Sequence, residues 1–463
     1  MFFVCLMVIC SFFGCTGKKQ QLRVLIDENG LLGSYHSMVA SALEDFQSQN
    51  KDIDIEIETL PKDENGRREM FQRLQTEIMA GKGPDVFVLP CHYLLDRPLI
   101  QDVNQAMRNG MFADLNVYYD ADQALGKESL IPAVMDAGVV DGKRYVLPLW
   151  YDLPVFSVNR TLLTQTGFDA DLFSQGYLGA MSKVEAAKAS VLAADLAEFS
   201  PLLVNTLNLF PQLIDYDSQQ ILLTKAELTE FAEKYHALGD IQESRQAFWE
   251  RYIPMDLGFY IEYGEDLSWW ASKQRAVEIT GLNVALANVA IAKMEGIDLE
   301  IVPMTAADGT LIADVTLWGA VSARCENEEL AYSFLRLLLS EECQWEAYRL
   351  DETSGDSYAN KGWPVRARNG ISPFYRNSTL NLINRFTDKK LKSRATELQN
   401  IEMVDDCFPD FYVLIDQAQF SIPGEASLGR ILQSDVAGET EISDVLELSE
   451  QWLKELEWHL YEG

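Results

Sequence analysis

Met70-Phe-Gln-Arg-Leu-Gln-Thr-Glu-Ile-Met-Ala-Gly-Lys-Gly-Pro-Asp-Val-Phe-Val-Leu89 contains a helix, its stop and the strand that follows. Met70, Phe71, Leu74 and Ile78 recur at the spacing of one helix face, and Gly81 supplies the left-handed residue that ends helices. Asp85–Leu89 is then a short apolar run, as in a strand buried on both faces. The same alternation extends upstream. Leu22–Ile26 is an apolar run, Met38, Val39, Ala42, Leu43 and Phe46 follow helical spacing, and Ile53, Ile55 and Ile57 alternate with charged residues as in a strand. The order strand–helix–strand–helix–strand predicts a parallel sheet with helices on both faces.

Downstream, Met181–Phe199 is Ala-rich and Lys225–Leu238 places Leu228, Phe231, Ala232 and Tyr235 on a helical stripe. Val277–Thr280 and Ile301–Met304 read as strands, Ala313–Ala323 as another, and Glu328–Leu339 as a helix. Ile442–Leu460 closes the chain as an amphipathic helix with Val445, Leu448, Trp452, Leu456 and Leu460 on one stripe. No Gly/Ser or Pro linker divides the chain, which favours two domains that share it through several crossings.

The first residues read as an export signal. Met1 to Gly14 is an almost unbroken apolar run that closes on Cys15, followed by the polar stretch Thr16–Gln21. It is shorter than the about 20 apolar residues that span a bilayer. A small residue before a cysteine at the end of such a core resembles a bacterial lipoprotein signal, with cleavage before Cys15 and lipid attached to it. The expectation is a protein held at the extracellular face of the cell membrane through that lipid.

With 38 basic against 71 acidic residues the net charge is −33, a surface that repels phosphate backbones, so nucleic acid is not an expected partner. The acids are scattered, as solubility requires. Beyond the leader, Cys91, Cys325, Cys343 and Cys407 are far apart, without Cys-x-x-Cys or His at metal spacing, and are expected as buried thiols, with one or two disulfides the alternative in an exported chain. There is no nucleophile elbow, phosphate loop or His-Glu-x-x-His, and no complete calcium loop at Asp120-Ala-Asp122. Neither a cofactor nor a metal is expected, and nothing positive points to an enzyme.

Several segments taken together resemble the family 1 extracellular solute-binding proteins, the receptors of ATP-driven (ABC) importers. Gln75–Val86 is similar to the family's early helix–turn–strand with its Gly-x-Gly-Pro-Asp turn, and Asp141–Leu149 to the segment entering the first interdomain crossing, continued by Pro154–Asn159. Ala331–Gln344 resembles the helix after the return crossing, and Gly362–Arg366 the turn beyond it. The resemblance implies an α/β, class II periplasmic-binding-protein-like fold: two α/β lobes with a ligand cleft and hinge between them. It divides the chain into a signal peptide (1–14), a lipidated tether (15–21), a first lobe (22–151), a second lobe (152–303), a return to the first lobe (304–355) and C-terminal helices of the second (356–463). It also implies a monomer that hands a small solute to a membrane permease.

Open α/β sheets bind ligands beyond the carboxyl ends of their strands. That rule selects Asp27–Tyr35, with Asn29 and Tyr35, after the first strand, and Pro90–Tyr93, with His92 and Tyr93, after the third. The crossing adds Trp150, Tyr151 and Asp152; the second lobe adds Trp269, Trp270 and Asn283; the return segment adds Trp318, which with Trp363 also reads as packing. Aromatic faces with a few amides and carboxylates suit a mono- or oligosaccharide, whose C–H faces stack while its hydroxyls take hydrogen bonds. Carbohydrate-binding members often carry an aromatic where Leu282 stands, so either stacking rests on Trp269 or Trp270, or the solute is no typical oligosaccharide. A peptide, polyamine or other cation, and an exported glycosidase with two carboxyl groups about 5 to 9.5 Å apart, are the alternatives, as is a sensor subunit.

Overall fold

The computed structural model describes residues 20–27, 34–61, 63–91, 99–100, 102–165, 168, 170–186, 210, 213–239, 277–282, 285, 289, 292, 297–306, 308–346, 363–366, 415–422 and 442–462. β1 (Gln21–Ile26), α1 (Ser34–Gln49), β2 (Asp54–Thr59), α2 (Glu64–Met79) and β3 (Val86–Pro90) follow the alternation read from the sequence. β1 pairs in parallel with β2 on one side and β3 on the other. Leu22, Val24 and Ile26 of β1 pack with Met38, Val39 and Phe46 of α1, whereas Leu25 packs on the opposite face with Phe71 and Leu74 of α2. Burial on both faces is why the strand carries an apolar run rather than an alternation.

The deciding stretch closes as its sequence requires. Asp63 caps α2 by accepting the Gly66 N–H at 2.8 Å. At the other end Gly81 adopts φ +69°, its N–H reaches the Ile78 carbonyl at 2.9 Å and the Lys82 N–H reaches that of Glu77 at 2.8 Å. This is a Schellman stop, which an L side chain would strain. Asp85 then accepts the Arg23 N–H at 2.8 Å and ties the start of β3 to β1.

The chain continues through α3 (Val103–Arg108) to β4 (Val146–Asp152) and, after the single residue Leu153, β5 (Pro154–Asn159). β4 belongs to the large sheet and β5 to a second sheet, so Leu153 is the first crossing. The second lobe holds α4 (Gly176–Ala186), the hairpin β6 (Ile214–Asp215) and β7 (Gln220–Ile221), α5 (Lys225–Gly239), β8 (Val277–Gly281) and β9 (Leu299–Pro303). β5 lies antiparallel between β8 and β9. The chain returns in β10 (Ile312–Val321), α6 (Glu328–Leu338) and α7 (Glu341–Glu346), and ends with β11 (Trp363–Pro364), β12 (Gln419–Ser421) and α8 (Ile442–Glu462).

The large sheet runs β11-β4-β10-β3-β1-β2, with β12 also paired to β10. It is mixed rather than purely parallel: β10 is antiparallel to both β3 and β4. The cause is topological, since β10 re-enters the sheet at the edge by which β4 leaves it. A second correction concerns residues 356–463, expected wholly in the second lobe. Trp363-Pro364 pairs with β4 and Gln419–Ser421 with β10, so both join the first lobe's sheet. α8 packs instead on the second lobe's core, where Trp452 and Leu456 meet Phe156, Met181 and Phe231. Its stripe is buried at Trp452, Leu456 and Leu460, while Leu448 is exposed.

Candidate functional site

Strand direction fixes where the two lobes face each other. β1, β3 and β4 run parallel and end at Ile26, Pro90 and Asp152, on the edge from which the chain leaves for the second lobe. In the second lobe Gly281, the end of β8, lies opposite Pro154, and Pro303, the end of β9, lies opposite Val155. The carboxyl ends of both sheets therefore meet at the crossings, the place where open sheets bind ligands.

Asp152 organises that junction. Its Oδ1 accepts the N–H of Leu153 at 2.9 Å and that of Leu282 at 3.1 Å, and the Leu282 N–H also reaches the Leu153 carbonyl at 2.8 Å. The carboxylate so joins β4 to the residue following β8. A Cβ on Gly281 would lie 1.8 Å from Asp152 Oδ2, so this close approach needs a glycine. Leu282, the residue that replaces the expected aromatic, is 2% exposed and packs in the first lobe's core beside Leu153. It belongs to the junction between the two sheets. Asp314 of β10, 3% exposed, sits in register with Asp152 and accepts from the Ser421 hydroxyl at 3.4 Å.

The aromatics of the crossing lie beneath this edge. Trp150 is 1% and Tyr151 0% exposed, both within the main core cluster. The Tyr151 ring meets Phe420 edge-on with centroids 5.5 Å apart. The β4–β10 register slips between Val315 and Trp318, and the Leu149 carbonyl accepts from Gln344 Nε2 at 3.2 Å and the Val365 N–H at 3.3 Å. Trp318 lies deeper, paired with Pro148 and Leu89, and its ring packs edge-on against Phe112 at 5.8 Å. Trp363 is likewise buried, at the sheet's end.

Tyr35 stands in the first turn of α1. Asn29, His92, Tyr93, Trp269, Trp270 and Asn283 lie outside the described residues, as do Cys15 and Cys407. Cys91, Cys325 and Cys343 are buried. Burial pushes the Cys325 thiol up to about 12, with the Asp85 carboxylate adding to it.

Two buried or partly buried polar pairs have no counterpart in any local sequence pattern. Asp27, just past the end of β1, pairs with Arg67 of α2 through Nη1–Oδ1 at 2.9 Å and a second bond from Nη2 to Oδ2, while the guanidinium lies 5.0 Å from the centre of the Phe71 ring. Tyr216 of the β6–β7 turn donates to the carboxylate of Asp102, which caps α3. Burial, and then the Asp102 charge, hold the Tyr216 phenol far above its usual range, so its hydroxyl stays a donor. Each partner is a common surface residue type, and only long-range folding joins them. Among the described residues no group of His, Cys, Asp or Glu could hold a metal ion, and no helix is long and apolar enough to cross a membrane.

Solved structures share this fold. The chain is similar to the sugar-binding protein MalE from Xanthomonas citri at a TM-score of 0.53 and 16% identity, covering 96% of this chain and 100% of that one. It is also similar to the ABC substrate-binding protein Lmo0181 from Listeria monocytogenes in complex with cycloalternan, at a TM-score of 0.48 and 15% identity over 95% and 99% of the two chains. No match is found among curated protein sequences. The family profile described as bacterial extracellular solute-binding protein matches residues 41–355, well over half of the chain. A chain with that profile, two sheets joined by crossings and their strand ends turned to one junction belongs to the bacterial extracellular solute-binding protein family.

Proposed function

We propose that the chain is the lipid-anchored receptor of an ABC importer, and that it captures a mono- or oligosaccharide between its lobes at the extracellular face of the membrane. The observation that carries this reading is the convergence of the carboxyl ends of both sheets on the Asp152–Gly281 junction. The solute contacts are assigned to the residues that continue those ends: Asn29 and Tyr35 after β1, Tyr93 after β3 and Asn283 after β8, with Trp269 and Trp270 before β8. The two tryptophans supply the stacking faces that Leu282, committed to the hinge, does not. Trp150, Tyr151 and Asp152 form the floor that holds the junction in place, and Trp318 packs behind it. The fold is shared with a sugar-binding protein, and the aromatic-rich composition at these positions suits pyranose stacking. The work is binding and delivery, with no covalent step, and attachment is through Cys15.

A thermal-shift screen of Lys18–Gly463 against sugars, polyamines, peptides and metal ions tests the reading. A sugar at 100 times its dissociation constant stabilises the fold by about 2.7 kcal/mol, and Trp269→Ala with Trp270→Ala abolishes that shift. A shift with cations alone refutes the sugar assignment. Mass spectrometry of the protein from membranes shows a lipid-modified Cys15, whereas an intact Met1 refutes the anchor.

A further inference from the structure

The β6–β7 hairpin is built on the second lobe and reaches the first. Ile214 and Ile221 pack on the second lobe's core beside Leu213 and Leu223. Its turn is held by Asp215, whose Oδ1 accepts the N–H of Asp217 at 3.0 Å and of Ser218 at 3.2 Å, and whose Oδ2 accepts the Ser218 hydroxyl at 2.7 Å. From this turn the Tyr216 hydroxyl donates to Asp102 Oδ1 at 3.2 Å and Oδ2 at 3.0 Å. Asp102 itself is fixed, its Oδ1 accepting the Gln105 N–H at 2.9 Å, and α3 is anchored in the first lobe's core through Val103 and Met107. At the far end of α3, Arg108 Nη1 lies 3.2 Å from Asp217 Oδ1, and its guanidinium lies 5.2 Å from the centre of the Tyr216 ring.

Each side thus offers the other one donor and one acceptor. The Arg108–Asp217 pair is exposed at Asp217 and contributes little alone. The Tyr216–Asp102 bond is different, being partly buried, made to a charged acceptor and supported from both sides. None of these four residues lies on the strands of the crossings, so the contact is a second connection between the lobes, independent of the hinge.

We propose that the Ile214–Ile221 hairpin is a clasp: Tyr216 and Asp102, with Arg108 and Asp217 at its rim, hold the two lobes in the arrangement described here without help from solute. Rotation of one lobe against the other about Leu153 moves the hairpin along α3 and breaks both pairs. The clasp sets the resting angle of the receptor, and solute binding competes with it or adds to it. The inference rests on the two-lobed fold and not on the identity of the solute, so it is tested without solute, and its failure leaves the functional reading intact.

The test is the inter-lobe distance distribution of the full mature chain, measured by pulsed electron–electron resonance between spin labels at Val117→Cys in the first lobe and Glu230→Cys in the second. Both sites are exposed. The chain without the two introduced cysteines gives the labelling background. In Tyr216→Phe the ratio of the parent distance to displaced distances falls about tenfold, as expected for loss of a hydrogen bond to a charged group. Asp102→Asn, which keeps a capping oxygen for α3, gives a smaller shift in the same sense, and the double variant adds little to Tyr216→Phe. Ser218→Ala, which touches only the hairpin's own turn, is the control. Unchanged distributions in both Tyr216→Phe and Asp102→Asn overturn the clasp. So does a shift with Ser218→Ala equal to that of Tyr216→Phe while Asp102→Asn stays at the parent distribution, since that assigns the effect to hairpin integrity.

Discussion

Gly281→Ala probes the junction most directly. The new Cβ would stand 1.8 Å from Asp152 Oδ2 and 2.7 Å from its Cγ, far inside van der Waals contact. The carboxylate must rotate away, and in doing so it releases the N–H groups of Leu153 and Leu282 that it accepts at 2.9 and 3.1 Å. Leu282 keeps its second bond, to the Leu153 carbonyl at 2.8 Å. The Leu153 N–H, on a residue with no exposure, loses its carboxylate acceptor. A buried donor left unsatisfied costs about 1–3 kcal/mol, and more where the acceptor was charged, so the substitution should destabilise by about 2–4 kcal/mol. Asp152→Ala removes the same bonds but also the obstacle. In that background Gly281→Ala should become neutral or stabilising by about 0.5–1 kcal/mol, because alanine in a strand has less backbone freedom to lose. The two substitutions are therefore coupled by at least about 2 kcal/mol. Urea unfolding of the four chains, followed by tryptophan fluorescence, measures this as midpoint shifts at constant m-value. Costs that add to within about 0.5 kcal/mol would falsify the contact between Gly281 and Asp152.

Three further outcomes are expected. Phe334→Ala empties a fully buried ring site that meets Phe46 edge-on at 5.3 Å and should cost about 3–5 kcal/mol, against a change within about 0.5 kcal/mol for the exposed Val117→Ala; similar values for both would refute the core assignment. Cys325, whose thiol is raised to about 12 by burial and the nearby Asp85, should react with a disulfide reagent at pH 8 only as fast as the protein unfolds, and labelling at the rate of an exposed thiol would refute it. Burial pushes the Glu77 carboxyl up, yet hydrogen bonds from Arg23 at 3.0 Å and Arg73 at 2.8 Å outweigh it and hold the group below its ordinary 4.5. The stability it contributes is then fully present above pH 4.5 and is lost as the pH falls through the lowered value. Unfolding midpoints of Glu77→Gln and the parent should differ at pH 7 and converge on acidification; a gap that widens toward acid would reverse the sign.

The elements that could be read from the sequence are those whose cause is local. The spacing of Met70, Phe71, Leu74 and Ile78 specifies a helix face, Gly81 its stop, and Asp85–Leu89 a doubly buried strand, because the period of a helix or strand is written into a few consecutive residues. The order of the segments, with the Gly-Lys-Gly-Pro-Asp turn and the crossing at Leu149–Asn159, was enough to identify the family. Orientation across distance is not written locally. The sequence places Trp150 and Tyr151 at the base of the cleft, and their burial depends on β11 and β12, which arrive from residues 363–364 and 419–421. Asp152, a candidate solute contact in the sequence, accepts the backbone N–H of Leu282, 130 residues away. Likewise Asp102 and Tyr216 carry no local pattern that pairs them. Segments, their order and the family are legible in short runs of residues. Which aromatics are buried under the junction, which glycine lies against Asp152 and which tyrosine reaches Asp102 follow only from the folded chain, because burial and hydrogen bonding at those positions depend on partners that a long stretch of chain separates.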